Sequence, residues 1–391
     1  MTHFGYPSAA GGEMGKRSWK VLMLVLLPVL LSGSCTDTPI LVTVLPTPTL
    51  QEPVHLTRGP YLQSVTPTSI VVAWEMDRPA PAAVAWGETE AHGWLAEDPQ
   101  IVACHAVTLT NLSPYTRYHY RVLSGGLPLS DDYTFRTAAA PDQTRFSFAV
   151  FGDTRTQDRF HRAVVERILA LQPDFVLHTG DLVAHGHSNH EWQTFFEIER
   201  ELLARVPFFP TLGNHEANNP LYRELFYLPG NERWYSFDYG HVHFVCLQVD
   251  NIADLSPQGE QIRWLQEDLA STEQPWKVLF FHVPPFSSLG EEEDEVHTRR
   301  ALASVLTDQG VQIVFTGHHH NYQRLQVGGV TYVVTGGGGA PLYPLQEQDP
   351  ELAAYAAEYH AVLITLDGPA FTAVVVSAEG EELDRFELEL P

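Results

Sequence analysis

Basic residues are scarce: 23 Lys and Arg stand against 48 Asp and Glu in 391 residues, a formal net charge of -25. Such a surplus repels polyanions at long range and excludes broad nucleic-acid binding. Any chemistry on phosphate groups must therefore draw on local positive charge, which metal ions supply. Cysteine is nearly absent, with three in the chain, so a disulfide framework and a thiolate metal cluster are both excluded. Cys104 and Cys246 fall in different segments and read as two buried thiols acting as small hydrophobes. The Gly336 to Gly339 run lacks a following Lys-Ser/Thr, which rules out a Walker loop. Either it lets backbone pass close to a site, or it simply turns the chain. There is no internal repeat.

What is present begins with an export signal. Lys16, Arg17 and Lys20 precede an apolar run from Val21 to Leu31, which ends in Ser32, Gly33 and Ser34. That run is too short to span a bilayer comfortably. Cys35 follows and resembles the acylated cysteine of bacterial lipoproteins, although Ser32 sits where those proteins usually carry an aliphatic residue. The expectation is a signal over residues 1–35 and an exported protein, extracellular or held at the bacterial cell surface by a lipid on Cys35. Residues 36–54, rich in Thr and Pro, read as an extended linker.

At this length two domains are expected. Residues 55–137 carry short runs of β-branched and aromatic residues, such as Ser69 to Trp74 and Tyr118 to Val122, separated by Pro, Gly and Asn turns. That is the pattern of an all-β sandwich, for which a spacer role is favoured over a binding one. Residues 145–391 alternate instead. Strands are expected at 146–151, 174–178, 207–212, 276–281 and 311–315, with helices at 159–171, 258–269 and 299–306, and further strands at 330–334, 361–366 and 371–376. The acidic run Glu291 to Glu295 reads as a solvated loop. Trp192 and Tyr322 read as core, not as pocket lining.

Metal-capable residues follow each of five apolar strands: Gly152-Asp153, Gly180-Asp181, Gly213-Asn214-His215-Glu216, His282, and Gly317-His318-His319-His320. Ligands bind at the carboxyl ends of strands in open α/β sheets, so these loops should converge. One Asp after a strand is most often a turn or cap residue. Five such placements in succession are not explained that way. Carboxylate, imidazole and amide oxygen together suit Zn, Fe or Mn. Residues two apart on an extended segment face one way, so His318 and His320 can share a site from which His319 turns away.

The order Asp, Gly-Asp, Gly-Asn-His-Glu, His-x-Pro, Gly-His-x-His resembles that of the calcineurin-like metallophosphoesterases. The β domain in front, with its fibronectin type III-like turn at Leu112-Ser113-Pro114-Tyr115-Thr116-Arg117-Tyr118, narrows the resemblance to purple acid phosphatases. It implies an α+β multidomain chain, a β-sandwich followed by a four-layer α/β/β/α sandwich. By resemblance Asp181 bridges two metal ions drawn from Fe, Zn and Mn, with Asp153 and His320 on the first and Asn214, His282 and His318 on the second. Metal-activated water would attack phosphorus, with His215 beside the phosphate and Glu216 or another carboxylate orienting it. His297 is a weaker candidate, equally readable as a residue near a helix N-terminus.

Two positions depart from the purple enzymes. Their tyrosine ligand is replaced by Ala184, and His185 or His187 could compensate only with a register shift. Their glycine two residues after the first Asp is replaced by Arg155. Other metallophosphoesterases often place a metal-binding histidine there. A guanidinium cannot ligate a cation, but its fork suits phosphate oxygens, so a substrate contact is expected over a structural ion pair. The implied function is phosphomonoester hydrolysis. Phosphodiester or nucleotide hydrolysis on the same metals is the alternative within enzymes, and a surface-binding lipoprotein with a degenerate metal site is the alternative outside them.

Overall fold

The structure, a computed structural model, describes residues 53–216, 219–250, 254–288, 292–345 and 349–390. The signal, Cys35, nearly all of the Thr/Pro segment and Glu291 lie outside the described residues. The described residues belong to one compact unit. Among them, no helix is long and apolar enough to cross a membrane.

Six strands build the N-terminal part: β1 (Leu56–Gln63), β2 (Ser69–Gly87), β3 (Trp94–Thr110), β4 (Arg117–Ser124), β5 (Leu127–Pro128) and β6 (Tyr133–Arg136). Along β2, Ile70, Val72 and Trp74 and then Ala82, Val84 and Trp86 are buried, the period of two that a half-buried strand requires. The first half of β2 pairs with β1 and the second half with β4, while β3 follows it over most of its length. Register shifts between Glu75 and Ala82 bend the ladder where the partners change. All six strands thus share one hydrogen-bonded network. Neither cysteine forms a disulfide, and Cys104, expected to be buried, is exposed on β3.

The remainder runs β7 (Arg145–Phe151), α1 (Asp158–Leu171), β8 (Phe175–His178), α2 (Asn189–Ile198), α3 (Arg200–Leu203), β9 (Phe208–Pro210), α4 (Pro220–Leu225), β10 (Tyr235–Tyr239), β11 (Val242–Cys246), α5 (Glu260–Ser271), β12 (Trp276–Phe280), α6 (Glu293–Asp308), β13 (Ile313–Thr316), β14 (Tyr322–Val327), β15 (Val330–Thr335), β16 (Leu352–Ala356), β17 (His360–Asp367), β18 (Ala370–Ser377) and β19 (Glu382–Glu389). One sheet has the order β19-β18-β17-β7-β8-β9 and the other β10-β11-β12-β13-β15-β14-β16. The segments β7-β8-β9 and β11-β12-β13-β15 are parallel. Their strands are mostly apolar because both faces are covered, with His243 of β11 and Lys277 of β12 among the exceptions.

Alternate residues show the layering. Phe148 and Phe175 of the first sheet meet Phe244 of the second edge-on at 5.2 and 5.3 Å. Val245, Leu279 and Val314, on the opposite face, pack with Leu265 and Leu269 of α5 and Leu302 and Leu306 of α6. On the other outer face α1 turns its buried Val164, Val165 and Ile168 inward. This is an α/β/β/α sandwich.

Helix α6 corrects one expectation. It starts at Glu293, so the acidic run is its first turn and not a free loop. Glu293, Asp294 and Glu295 face the exposed N–H groups and positive end of the helix dipole, which favours acidic residues there. Helix α2 was not anticipated. It begins behind Ser188, whose hydroxyl accepts from the Glu191 N–H, and buries Trp192, Phe195 and Phe196. Trp192 and Tyr322 are both core.

One buried histidine ties the second sheet to α5. His243 of β11 bonds Asp238 of β10 at 2.7 Å and Asp268 of α5 at 2.8 Å. Burial opposes its protonation, but the two carboxylates outweigh burial and raise its pKa from 6.5 to about 9. A raised folded-state pKa means the stabilisation is complete below the unfolded value and fades as pH rises through the folded one. His243→Gln should therefore lower the unfolding free energy by roughly 1.5–3 kcal/mol near pH 6 and far less above about pH 10. Urea titrations at the two pH values check this, and an equal loss at both would refute it.

Candidate metal centre

Each candidate ligand stands just past the carboxyl end of a strand. Asp153 follows β7, Asp181 follows β8, Asn214 and His215 follow β9, His282 follows β12, and His318 and His320 follow β13. The first three strands belong to one sheet and the last two to the other, so the residues meet where the sandwich opens. The turns are tight. Asp153, Asp181 and His318 hold left-handed backbone, with φ of 59, 56 and 69°, a conformation L-residues keep only where surroundings over-determine it. A Cβ on Gly317 would lie 2.4 Å from Asp153 Oδ2, and one on Gly336 2.3 Å from the His319 carbonyl and 2.8 Å from the same Oδ2. The glycine run accordingly passes directly against Asp153, and Gly338 N–H and Ala340 N–H donate to the Gly152 and Asp153 carbonyls.

Four donor atoms form one cluster. Asn214 Oδ1 lies 2.9 Å from His282 Nε2 and 3.3 Å from His318 Nδ1. His318 Nδ1 and His282 Nε2 are 3.3 Å apart, and Asp181 Oδ1 is 3.3 Å from His282 Nε2. Oxygen and nitrogen donors gathered this closely would suit a cation such as Zn, Fe or Mn. The far nitrogen of His282 donates to the Thr179 carbonyl at 2.9 Å, turning Nε2 inward. Burial, with His282 and His319 nearby, pushes the His318 pKa down to about 2, so its ring is neutral. Its outer nitrogen faces Asp294 and Glu292 at 3.5 and 3.6 Å. Burial opposes charge on His282 as well, yet Asp181 and Asp153 raise its pKa. A cation entering here would displace that proton. The donor set fits a metal ion.

The second cluster comprises Asp153, Asp181 and His320, whose ligand atoms lie within 4.8 Å of one another. His320 Nδ1 donates to the Pro341 carbonyl at 2.8 Å, leaving Nε2 as an acceptor. Arg155 enters this cluster. Its Nε donates to Asp181 Oδ2 and its Nη2 to His320 Nε2, each at 3.1 Å. Where a substrate contact was expected, the guanidinium forms an ion pair, while also lining a cleft of about 370 Å³ with Thr154, Ala184 and His185.

Glu216 does not orient His215. Its Oε2 accepts from the Asp181 and Gly213 N–H groups at 3.0 and 2.7 Å, and its Oε1 from Val183 N–H at 3.1 Å. This buried carboxylate clips the loops after β8 and β9 together. Burial and the Asp181 charge raise its pKa. The His215 ring is oriented instead by the Ala184 carbonyl, which accepts from Nδ1 at 2.8 Å, and its Nε2 lies 3.7 Å from Asp181 Oδ2. His185 is exposed and engaged with Glu191 at 2.8 Å. His297 is exposed on α6, lining a cavity of about 720 Å³ with Asp250, Glu292, Glu293 and Asp294. Neither belongs to the two donor clusters.

Two residues beside the site, Glu295 and Tyr343, are not read from the sequence, while His319 turns away as expected. His319 turns from the metal donors to buried Glu295, which also accepts from Ser287 Oγ at 2.7 Å. Tyr343 stacks on His320 with ring centres 4.2 Å apart. Burial raises its phenol pKa, with the nearby Arg155 charge opposing. Acidic residues ahead of an apolar helical stretch were the available signal for Glu295. Nothing in sequence announced Tyr343.

Comparison with known proteins matches residues 146–322 to the calcineurin-like phosphoesterase family and residues 53–137 to the purple acid phosphatase N-terminal domain. Residues 146–322 thus carry a calcineurin-like phosphoesterase domain and residues 53–137 a purple acid phosphatase N-terminal domain, and the curated relatives are purple acid phosphatases. It is 30% identical over 241 residues to purple acid phosphatase 22 of Arabidopsis thaliana, an alignment covering 57% of this chain and 54% of that one. A purple acid phosphatase of Glycine max is 25% identical over 330 residues, covering 74% and 69%. The chain spans about half the length of the first curated relatives it matches. In fold it is similar to purple acid phosphatase PPD1 from yellow lupin (Lupinus luteus) seeds, with a TM-score of 0.75 at 21% identity over 85% of this chain and 74% of that chain.

The clip makes a prediction. Glu216→Gln places an amide N–H₂ against a backbone N–H, and should weaken metal binding about 10–100-fold although Glu216 is not a donor. Calorimetric metal titration of the stripped protein checks this, and an unchanged affinity would refute the role.

Proposed function

We propose that the chain hydrolyses phosphate monoesters with the help of a divalent or trivalent metal ion, in an exported protein anchored through Cys35. The observation that carries the catalytic part is the gathering of Asn214 Oδ1, His318 Nδ1 and Asp181 Oδ1 at 2.9, 3.3 and 3.3 Å from His282 Nε2. A cation held there supplies Lewis acidity and brings a water toward neutral pKa. The chain's own residues do the rest. With Nδ1–H given to the Ala184 carbonyl, His215 keeps Nε2 on a ring about a third exposed, where the imidazolium form would pass its Nε2 proton to a leaving oxygen. Arg155 sets a permanent positive charge beside Asp181 and keeps donors for phosphoryl oxygens. Export and anchoring rest on residues 16–35 alone.

Assay of p-nitrophenyl phosphate beside bis-p-nitrophenyl phosphate, with Zn, Mn and Fe added separately, tests this reading. Monoester hydrolysis should dominate. Faster diester turnover would overturn the monoesterase, and no turnover with any metal would overturn the enzyme. His215→Ala should lower kcat about 10²–10⁴-fold while metal content is retained.

A further inference from the structure

We propose that the Arg155 guanidinium stands in the Asp153, Asp181 and His320 cluster in place of a metal ion. The chain then carries a single metal, at Asn214, His282, His318 and Asp181. This deepens the metal-dependent reading above and rests on it.

Arg155 and a metal ion would compete for the same lone pairs. A metal in that cluster needs Asp181 Oδ2 and His320 Nε2, and both already accept N–H bonds from Arg155 at 3.1 Å. The tautomer agrees, since His320 gives its other N–H to Pro341 and Nε2 can only accept. A guanidinium is charged at any working pH, so it cannot yield these positions by losing a proton. A cation bound among the same atoms would face it at contact distance.

Among His, Cys, Asp and Glu side chains the cluster gathers three donors, Asp153, Asp181 and His320. Ala184 has no side-chain donor, and its carbonyl is taken by His215. His185 is held by Glu191. In the other cluster Arg155 touches Asp181 alone, through Oδ2, while Oδ1 faces His282, and Asn214, His282 and His318 make no contact with an arginine or lysine among the described residues. One site is built for a metal, and its neighbour is built around an arginine.

The surroundings hold the arginine in place. Its side chain is 14% exposed, Tyr343 covers His320 beside it, and the Pro341 carbonyl fixes the imidazole that receives Nη2. With five N–H donors and Asp181, His320 and Tyr343 as partners, the guanidinium retains donors for an anion. It gives the phosphoryl group a planar, directional contact where a second metal would give a point charge. Two buried carboxylates facing one divalent ion and one guanidinium leave a single positive charge, which an anion such as a phosphoryl oxygen would meet.

Metal stoichiometry decides the matter without any assay of turnover. The full chain is stripped with chelator, reloaded with excess Zn or Mn, dialysed and measured by plasma mass spectrometry, with thermal melts confirming folding. The wild type should retain one equivalent, and Arg155→His and Arg155→Gly, which vacate the cluster, should retain two. Asn214→Ala should lose the single metal, while Asp153→Asn should keep it. Two equivalents in the wild type would overturn the proposal and leave the metal-dependent reading standing. One equivalent in both folded Arg155 variants would overturn it too, because the guanidinium would then not be what excludes the second ion. No metal in the wild type would retire the metal-dependent reading and this proposal together.

Discussion

Asp153 and Asp181 set the terms for everything around them. Two carboxylates taken out of water side by side are strongly disfavoured unless cations and hydrogen-bond donors surround them. The fold answers with backbone N–H groups from His318 and His215, the Arg155 guanidinium, and the His282 and His320 imidazoles close by. Close surroundings of this kind demand left-handed turns at the aspartates and glycine where the neighbouring loops approach. The strain in those turns is held by a sandwich whose five contributing strands are themselves buried, and by Glu216, which fastens two of the loops from within. Metal binding and loop architecture are therefore one problem. A group that balances these carboxylates also fixes the turns that present them.

Seen this way, the cluster has two ways of reaching charge balance, one inorganic and one organic. A metal ion is exchangeable and depends on supply. An arginine is synthesised with the chain and stays. A purple acid phosphatase-like architecture that has kept the donors on one side while placing a guanidinium on the other would have a cleft whose positive charge is partly permanent.

Much of this was legible in sequence, and for identifiable reasons. Parallel strands covered on both faces appear as unbroken apolar runs, so β7, β8, β12 and β13 could be read within a residue or two, and the residues after them drew attention as a series. His319 could be turned away from its neighbours by the alternation of an extended segment. What escaped notice depends on contacts distant in sequence. Glu295 lies in an acidic run without apolar periodicity, and its burial comes from His319 and Ser287. Glu216 is adjacent to His215 in sequence, but its partners are backbone groups on another loop. Arg155 was recognisable as an unusual cation, yet spacing alone does not say whether its fork points at ligands or at solvent. Strand β11 has His243 in its middle, and only the carboxylates of β10 and α5 make a charged residue tolerable there.

The N-terminal strands were read as a spacer, and their docking gives them a different meaning. Strand β9, which leads into Asn214 and His215, lies at the edge of its sheet. Gln63 of β1 donates to the Phe208 carbonyl of that strand at 3.0 Å, Tyr61 reaches Leu225, Tyr120 reaches Ala204, and Arg136 pairs with Asp174 beside β8. An otherwise open edge is thereby occupied by the chain's own N-terminal half. These bonds oppose separation of the N-terminal strands from the sandwich, and the shape of the cleft is left to the loops that follow the strands.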